Sequence, residues 1–380
     1  MGLWLLLSCA IGIRGAYETE RASVLRTPPP LAEEWTPDIR VRMTTATMSR
    51  VARSAVAQDM LQWKEELRLQ TPLGPMIEVV PKVRVQSLQM RTSASCKACL
   101  VLHAQIEGGA QVNAGFLSTE IPFQADVSAT TQLKVIEKDG QWRVVAKVKK
   151  IRKLKVTAMG GLGGSASEPL EKWLTRAFKA RGPIPLTTVG GEALPVRGLT
   201  VHTAPGVLEV GIRTDVADTV DVGPASSPPE QWDIRMHPDT LVALLRVRSF
   251  TEGPGKFDIV DDPRALRMDG ETFELDLRLW RLAGLGWWRD YTVTGEVKVK
   301  GKRLILTPTD AVPGEKSPGA GVADPIFLLA ERKTLKGVTE GIRMAMPARK
   351  KTKVGKLQIK PSITAVSGTD EAIQISGAMD

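Results

Sequence analysis

Apolar and polar residues alternate in several separate stretches of the chain, a pattern typical of strands with one buried and one solvated face. The clearest stretches in the first half are 79–86, 100–107 and 142–149, and those in the second half are 273–279 and 293–300. Between these stretches, apolar residues recur at helical spacing in four segments. The pattern predicts an α+β protein of antiparallel strands and several helices.

The four helical segments each place their apolar residues on one face. The first-half segments carry Met48, Val51 and Ala55, then Leu170, Leu174 and Phe178. The second-half segments carry Leu241, Leu244 and Leu245, then Leu335, Val338 and Ile342. Stripes of this kind usually pack on a core, and the same residues would line an apolar groove between helix and sheet.

The order of elements occurs twice along the chain, which predicts two related modules. Asp38-Ile39-Arg40 and Asp233-Ile234-Arg235 each precede a helical segment. A second match aligns 194–200 with 357–364, and each copy continues into an apolar strand, beginning at Val207 and Ala372.

The domain organisation follows from these matches and from the prolines between them. We expect an N-terminal domain over 38–216, a proline-marked linker over 217–232 and a C-terminal domain over 233–380. Each domain contains a helix, antiparallel strands, a second helix and closing strands.

On this tandem unit, over roughly residues 38–380, the chain resembles the tubular lipid-binding (TULIP) superfamily. That group contains bactericidal/permeability-increasing protein and the plasma lipid-transfer proteins. The resemblance implies two elongated rolls of curved antiparallel sheet, each packed with long helices that hold acyl chains against the sheet. The four helical faces would line the groove, and phospholipid, lipopolysaccharide or another acyl lipid would be the partner. The alternative is a structural or interaction protein with closed cores and no bound lipid.

The N-terminal residues contain a candidate export signal. Leu6-Leu7-Ser8-Cys9 ends an apolar run and resembles the bacterial lipoprotein signal, whose cysteine is acylated. We therefore expect a signal over 1–15 with lipidation at Cys9, and an extended tether over 16–37 that includes three consecutive prolines. An ordinary secretory signal and a plain apolar tail are the alternatives. Either signal predicts export across the inner membrane, and the lipoprotein signal predicts a periplasmic or outer-membrane lipid anchor.

The predicted turn near residue 285 carries two tryptophans. Leu285, Trp287 and Trp288 lie between two alternating strands, beside Arg281 and Arg289. Indole and guanidinium groups suit the headgroup region of a bilayer, so we expect these residues to contact a membrane. The alternative is a loop that folds back and closes the end of the roll.

The cysteine pair Cys96 and Cys99 has three interpretations: a redox pair, half of a zinc site, or a local disulfide. A zinc site needs further ligands, and no nearby histidine or cysteine pair supplies them. Export to an oxidising compartment favours the disulfide.

Charge and composition exclude several classes of function. The 52 Lys and Arg against 42 Asp and Glu give a net charge of +10, which favours an anionic membrane surface as a partner. The basic run over 147–155 lacks interleaved aromatic residues, so nucleic-acid binding is not expected. The stretch 161–166 fits a relaxed dinucleotide fingerprint, but Pro169 separates it from its helix. The sequence therefore predicts no enzyme, no metal and no cofactor, and leaves the oligomeric state open.

Overall fold

The structure is a computed structural model of the 380-residue chain. It describes residues 2–58, 61–62, 67–70, 76–94, 96–114, 117–138, 141–158, 168, 171–172, 175–176, 184–189, 195–225, 227–255, 258–284, 286–300, 303–318, 352–354, 357–359 and 361–379. Most of these residues lie in antiparallel strands.

The helices with defined bounds are α1 (Gly2–Val24), α2 (Thr45–Gln58) and α3 (Pro238–Glu252). Residues 168, 171–172 and 175–176 are also helical. The strands of the first half are β1 (Ile39–Thr44), β2 (Leu61–Gln62), β3 (Leu67–Gln70), β4 (Met76–Thr92), β5 (Cys99–Ala114), β6 (Leu117–Lys138), β7 (Gln141–Ala158), β8 (Ile184–Val189), β9 (Val196–Ala204) and β10 (Val207–Thr214). The strands of the second half are β11 (Trp232–Met236), β12 (Ile259–Asp269), β13 (Thr272–Arg281), β14 (Trp287–Lys300), β15 (Arg303–Lys316), β16 (Thr352–Val354), β17 (Leu357–Ile359), β18 (Pro361–Gly368) and β19 (Ile373–Met379).

Three antiparallel sheets contain nearly all of these strands. The first sheet has the order β2-β4-β5-β6-β7-β8, with β3 also paired to β4, and the second has the order β12-β13-β14-β15. The central sheet has the order β18-β19-β11-β1-β10-β9. Strands β16 and β17 form a separate pair. We call α2 with the first sheet the first module, and α3 with the second sheet the second module.

The central sheet takes three strands from each half of the chain and has an approximate two-fold axis. Strands β1 and β11 pair at its centre, with Arg40 directly opposite Arg235. Ile39 lies opposite Ile212 in one half, and the repeat-related Ile234 lies opposite Ile375 in the other. By this register, Ile212 and Ile375 occupy equivalent positions in the two halves. The sequence alignment, which starts these strands at Val207 and Ala372, instead aligns Ile212 with residue 377, so it is two residues out of register.

One expectation about architecture needs correction. The protein is mostly β, and among the described residues the helices that pack on its sheets, α2 and α3, have 14 and 15 residues, about four turns each. They are shorter than the long helices expected. The strands of the two halves also share the central sheet, a connection that the sequence did not predict. Apolar periodicity marks which face of a helix is buried, but it carries little information about which sheet a strand joins.

The N-terminal segment also differs from expectation. Helix α1 continues to Val24, so Ala16–Val24 is helical, whereas an extended tether was expected over 16–37. Tyr17 and Val24 are buried. The three prolines lie in the following stretch, which has no helix or strand as far as Asp38. In the described part of the chain, no helix is both long and apolar enough to cross a membrane.

The linker between the halves lies along the polar face of the central sheet. Arginines on that face donate to its carbonyls: Arg40 Nε to Val222 at 2.7 Å, Arg42 Nη1 to Ser227 at 2.6 Å and Arg235 Nη1 to Gly223 at 3.2 Å. Burial, together with the charge of Arg42, lowers the pKa of Arg235. The predicted linker is thus a packed strap, and Trp232 at its end already begins β11.

A buried ion pair joins the two halves. Arg42 of β1 is 5% exposed, and Asp233 of β11 is fully buried. Arg42 Nε donates to Asp233 Oδ1 at 2.8 Å, and Nη2 contacts the second carboxylate oxygen. Gln374 Nε2 also donates to that second oxygen at 3.2 Å. Since both charges are removed from water, each one stabilises the fold only while its partner is present.

We expect Arg42→Met to lower the free energy of unfolding by about 3–5 kcal/mol, because Asp233 would remain buried without its counter-charge. The double variant Arg42→Met with Asp233→Leu should recover most of that loss. Chemical denaturation measures both. The exposed pair of Arg26 and Asp218 provides the control, and Arg26→Met should cost at most about 1 kcal/mol. An Arg42 variant no less stable than the Arg26 variant would contradict this role.

Candidate functional site

Helix α2 is fixed at both the central sheet and the first sheet. Thr44, the last residue of β1, accepts the backbone N–H of Thr47 on its hydroxyl at 3.2 Å, which caps the helix. Ser49 Oγ accepts the backbone N–H of Met90 at 2.7 Å. Strands β2 and β3 pair with β4 only as far as Val83, so β4 is an edge strand near Met90 in the described residues. Ser49 therefore satisfies an edge N–H and holds α2 beside it.

A core of flexible and small apolar side chains lies between α2 and the sheets. Its buried members are Met48, Leu88, Met90, Leu100, Leu133, Ala146 and Leu208. None of the described members of this cluster is aromatic. Met48, expected to line a lipid groove, lies within it.

The core continues along one face of the first sheet. Three rows of apolar residues cross β4, β5, β6 and β7 in register: Met90–Leu102–Ala129–Ile151, Leu88–Ala104–Val127–Leu154 and Val85–Ile106–Ala125–Val156. Successive rows are about 7 Å apart along the strands. We call these twelve residues the apolar strip.

The apolar strip is only partly covered by the protein. Leu102, Ala104 and Leu154 are half-buried, although their row neighbours Ala129 and Val127 are buried. Alanine occupies three of the strip positions, so the side chains are shallow at its centre. The strip therefore offers accessible apolar surface next to a closed core.

The second module has a different interior. Its core contains the aromatic residues Trp232, Phe273, Trp287 and Tyr291, each at most 7% exposed, together with the apolar residues of β13 and β14. Large rings fill the space between the second and central sheets. Each module thus combines a helix with an antiparallel sheet, but the two differ in how their interiors are filled.

A row of cations lies on β7, the strand that ends each row of the apolar strip, and faces the opposite side of the sheet. Strand β8 pairs with β7 only between Trp142 and Ala146, so among the described residues the rest of β7 has β6 as its one partner. The exposed basic residues of this free part are Lys147, Lys149, Lys150, Arg152, Lys153 and Lys155. Arg152 Nε donates to Thr130 Oγ1 at 2.6 Å, while the lysines extend into solvent. Apolar surface beside exposed cations suits an anionic amphiphile.

No protein-family model and no curated protein sequence matches the chain. Two solved structures are similar to it over most of its length. The first is the crystal structure of lipopolysaccharide binding protein, with 11% sequence identity and a TM-score of 0.36. The match covers 91% of this chain and 99% of the lipopolysaccharide binding protein chain. P47 of Clostridium botulinum E1 has 10% identity and a TM-score of 0.40, and covers 91% of this chain and 100% of its own. TM-scores below 0.5 are too low to establish a shared function.

Six of the twelve helical residues expected to line a groove lie outside the described residues. These are Leu170, Leu174 and Phe178 in the first half, and Leu335, Val338 and Ile342 in the second. Val51 and Ala55 lie in α2, but their side chains are outside the described part of the structure. The groove-lining role predicted for these eight residues stays a prediction.

The predicted face of α3 is displaced from the one that the structure buries. Leu241 and Leu244 pack as half-buried residues against two different cores, and Leu245 is half-buried as well. The buried apolar positions are Val242, Ala243 and Phe250. The groove-lining role predicted for Leu241, Leu244 and Leu245 also stays a prediction.

The expected membrane contact at Trp287 is wrong. Trp287 is 2% exposed and belongs to the core of the second module. Trp288 is half-buried on the opposite face, where the guanidinium carbon of Arg278 lies 3.8 Å from its ring centre. Leu285 is outside the described residues. Alternation along β14 sends the two neighbouring indoles to opposite faces, so they do not form one exposed patch.

Other candidate features lie outside the apolar strip. Cys96 and Cys99 are joined by a disulfide at the start of β5. A cleft of about 520 Å³ in the second module has a mixed lining, which includes Asp269, Glu274 and Glu296 together with Met268 and Phe273. Among the described residues, no group of three or more His, Cys, Asp or Glu side chains is arranged to hold a metal ion.

Sequence patterns predicted lipid contacts on helices and did not predict the apolar strip. The part of the sequence that indicates the strip is the alternation over 100–107, where Leu102, Ala104 and Ile106 occupy one face of a strand. That alternation identifies a strand, but not the neighbours that complete each row. Only the register of four strands reveals a continuous surface.

We expect Ser49→Ala to lower the free energy of unfolding by about 1–3 kcal/mol, because the buried N–H of Met90 would lose its acceptor. Thermal or chemical unfolding measures the change. Ser87→Ala removes an exposed hydroxyl that bonds Gln105, and should change stability by less than about 0.5 kcal/mol. Equal effects of the two variants would contradict the docking of α2 through Ser49.

Proposed function

We propose that this protein binds the acyl chain of a lipid on the apolar strip of its first module. The observation that carries the proposal is the continuity of the three rows across four strands, combined with the incomplete burial of Leu102, Ala104 and Leu154. Covering such surface with hydrocarbon is favourable by about 25 cal/mol per Å² of apolar area removed from water. The process is non-covalent and needs no catalytic residue.

An anionic lipid is the ligand that the surrounding charges support. The lysines of β7 lie on the face of the first sheet opposite the strip, on the strand that ends each row, and would attract a phosphate or carboxylate headgroup that reaches past this strand, while the acyl chain lies along the rows. The chain's net charge of +10 acts in the same direction. Phospholipid, lipopolysaccharide and free fatty acid all combine an acyl chain with an anionic group.

A protein with closed cores and no lipid is the second candidate, and the filled interior of the second module favours it there. Four buried aromatic residues leave little space for a chain between the second and central sheets. We therefore assign lipid binding to the first module alone.

The decisive variant fills the strip. Ala104→Trp should weaken binding of a fluorescent fatty acid at least about tenfold, because a large ring at the centre of the rows displaces more than 1.4 kcal/mol of ligand contact. His103→Trp places the same ring on the opposite, exposed face of β5 and should leave binding unchanged. Titration of both variants measures the affinity, and thermal unfolding verifies that each is folded.

Two results would contradict the proposal. One is equal affinity of the two tryptophan variants for the fatty acid. The other is wild-type protein that is purified without detergent, yields no lipid on organic extraction and mass spectrometry, and takes up no fluorescent fatty acid.

We further propose that the protein is exported and acylated at Cys9, as the lipobox-like sequence Leu6-Leu7-Ser8-Cys9 predicts. The disulfide between Cys96 and Cys99 supports an oxidising compartment. In a bacterial host, the wild-type chain should incorporate labelled palmitate and Cys9→Ser should not. Palmitate labelling that persists in Cys9→Ser would contradict the assignment.

A further inference from the structure

Helix α1 packs against the second module through an aromatic cluster. Tyr17 is 3% exposed, and its ring stacks on Phe250 at 5.5 Å between centres. It also meets Trp280 edge-on at 5.9 Å. Val24 of α1 and Val260 of β12 complete this buried cluster. Burial raises the pKa of the Tyr17 phenol.

Charged residues surround this cluster and balance one another. Asp262, fully buried, contacts Arg246 Nε at 2.8 Å and Arg264 Nη2 at 2.7 Å. Glu20 of α1 lies 3.2 Å from Arg264 Nη1 and also contacts Arg246. Two carboxylates and two guanidinium groups thus connect α1 to α3 and β12. We call this network, with the Tyr17 cluster, the α1 clamp.

The contacts of α1 also fix its direction. Near its end, Arg21 Nε donates to the carbonyl of Phe250 at 3.3 Å, whereas Arg14 reaches the carbonyl of Leu282 at 3.4 Å. A Cβ placed on Gly286 would lie only 3.0 Å from Ile13. Read towards its N-terminus, α1 therefore passes from the end of α3 to the turn between β13 and β14.

The part of α1 that precedes Ile13 continues past this turn. Residues 2–12 belong to the same helix and extend about 16 Å at 1.5 Å per residue. Their sequence contains no charged residue and six of Leu, Ile and Trp, and the first charge of the chain is Arg14. One leaflet of a bilayer has a hydrocarbon thickness of about 15 Å.

We propose that the N-terminal half of α1 enters one leaflet of a membrane, and that the α1 clamp holds the β13–β14 turn of the second module against that membrane. In the unprocessed chain the hydrophobic group that enters is the apolar helix itself; if the signal is cleaved before Cys9, it is the acyl chain on Cys9, and the clamp acts on the remainder of α1. The clamp makes the anchor part of the folded second module, so it fixes orientation as well as attachment. The inference does not depend on lipid binding at the apolar strip.

The test compares the two ends of the second sheet. An environment-sensitive fluorophore is attached through a bioorthogonal amino acid at Ala283, in the β13–β14 turn, or at Glu271, in the β12–β13 turn. The ten residues of β13 place these turns about 30 Å apart. With vesicles of phosphatidylcholine and phosphatidylglycerol that carry nitroxide-labelled lipid, we expect quenching at position 283 to be several-fold stronger than at position 271. Equal quenching, stronger quenching at 271, or no vesicle binding would overturn the proposal.

Two variants test the clamp and the anchor separately. Tyr17→Ala should retain vesicle binding but lose the difference between positions 283 and 271, whereas Thr19→Ala, on the exposed side of α1, should retain both. Deletion of residues 2–11 should abolish vesicle binding. Unchanged binding after the deletion, or an unchanged difference in Tyr17→Ala, would overturn the proposal.

A third variant identifies the hydrophobic group. Cys9→Ser removes vesicle binding if an acyl chain anchors the protein and leaves it intact if the apolar helix does. Because the fatty-acid titration of Ala104→Trp does not involve vesicles, failure of lipid binding at the strip and failure of the anchor are distinguishable.

Discussion

The antiparallel pairing of β1 with β11 is the constraint on which the rest of the structure depends. Ile39, the first residue of β1, pairs with Met236, the last residue of β11, so the C-terminal ends of the two strands point in opposite directions. Helices α2 and α3 follow directly from those strand ends, which sends the two modules in opposite directions. The buried pair of Arg42 and Asp233 locks the register, because a one-residue slip would separate two charges that are out of contact with water.

The symmetry of this centre does not extend to the interiors of the modules. Asp38 and Asp233 are related by the repeat and both fully buried, but Asp38 accepts from the backbone and hydroxyl of Thr214, whereas Asp233 accepts from Arg42. The larger difference is in side-chain volume. Aliphatic residues and methionine make up the apolar strip of the first sheet, next to the buried Phe123, while four aromatic rings lie in the core of the second module. The interiors of the two modules therefore differ although both are attached to the same central sheet.

The sequence predicted the features that depend on local pattern or on direct repetition. Alternation located the long strands, and the shared Asp-Ile-Arg motif located the two strands that meet at the centre. Features that depend on distant partners were not predictable in the same way. Tyr17 was expected in an extended tether because nothing near it in sequence indicates Phe250 or Trp280, which lie more than two hundred residues away. Trp287 was expected at the surface because residue type alone does not reveal which face of β14 is buried.

The apolar strip illustrates the same limit at the candidate site. Each of its strands has a readable pattern, but the surface exists only because bulges near Ser87, Ser128 and Thr130 shift the registers so that apolar rows remain aligned. Helical stripes were therefore assigned the lipid contacts, whereas the apolar strip lies on strands.

The most direct measurement is photocrosslinking with a fatty acid that carries a diazirine on its acyl chain, followed by peptide mass spectrometry. The account predicts that labelled residues lie in the apolar strip, chiefly at Leu102, Ala104 and Leu154, and that unlabelled fatty acid competes for them. Labelling confined to the second module or to exposed polar faces, or labelling that fatty acid does not displace, would contradict it.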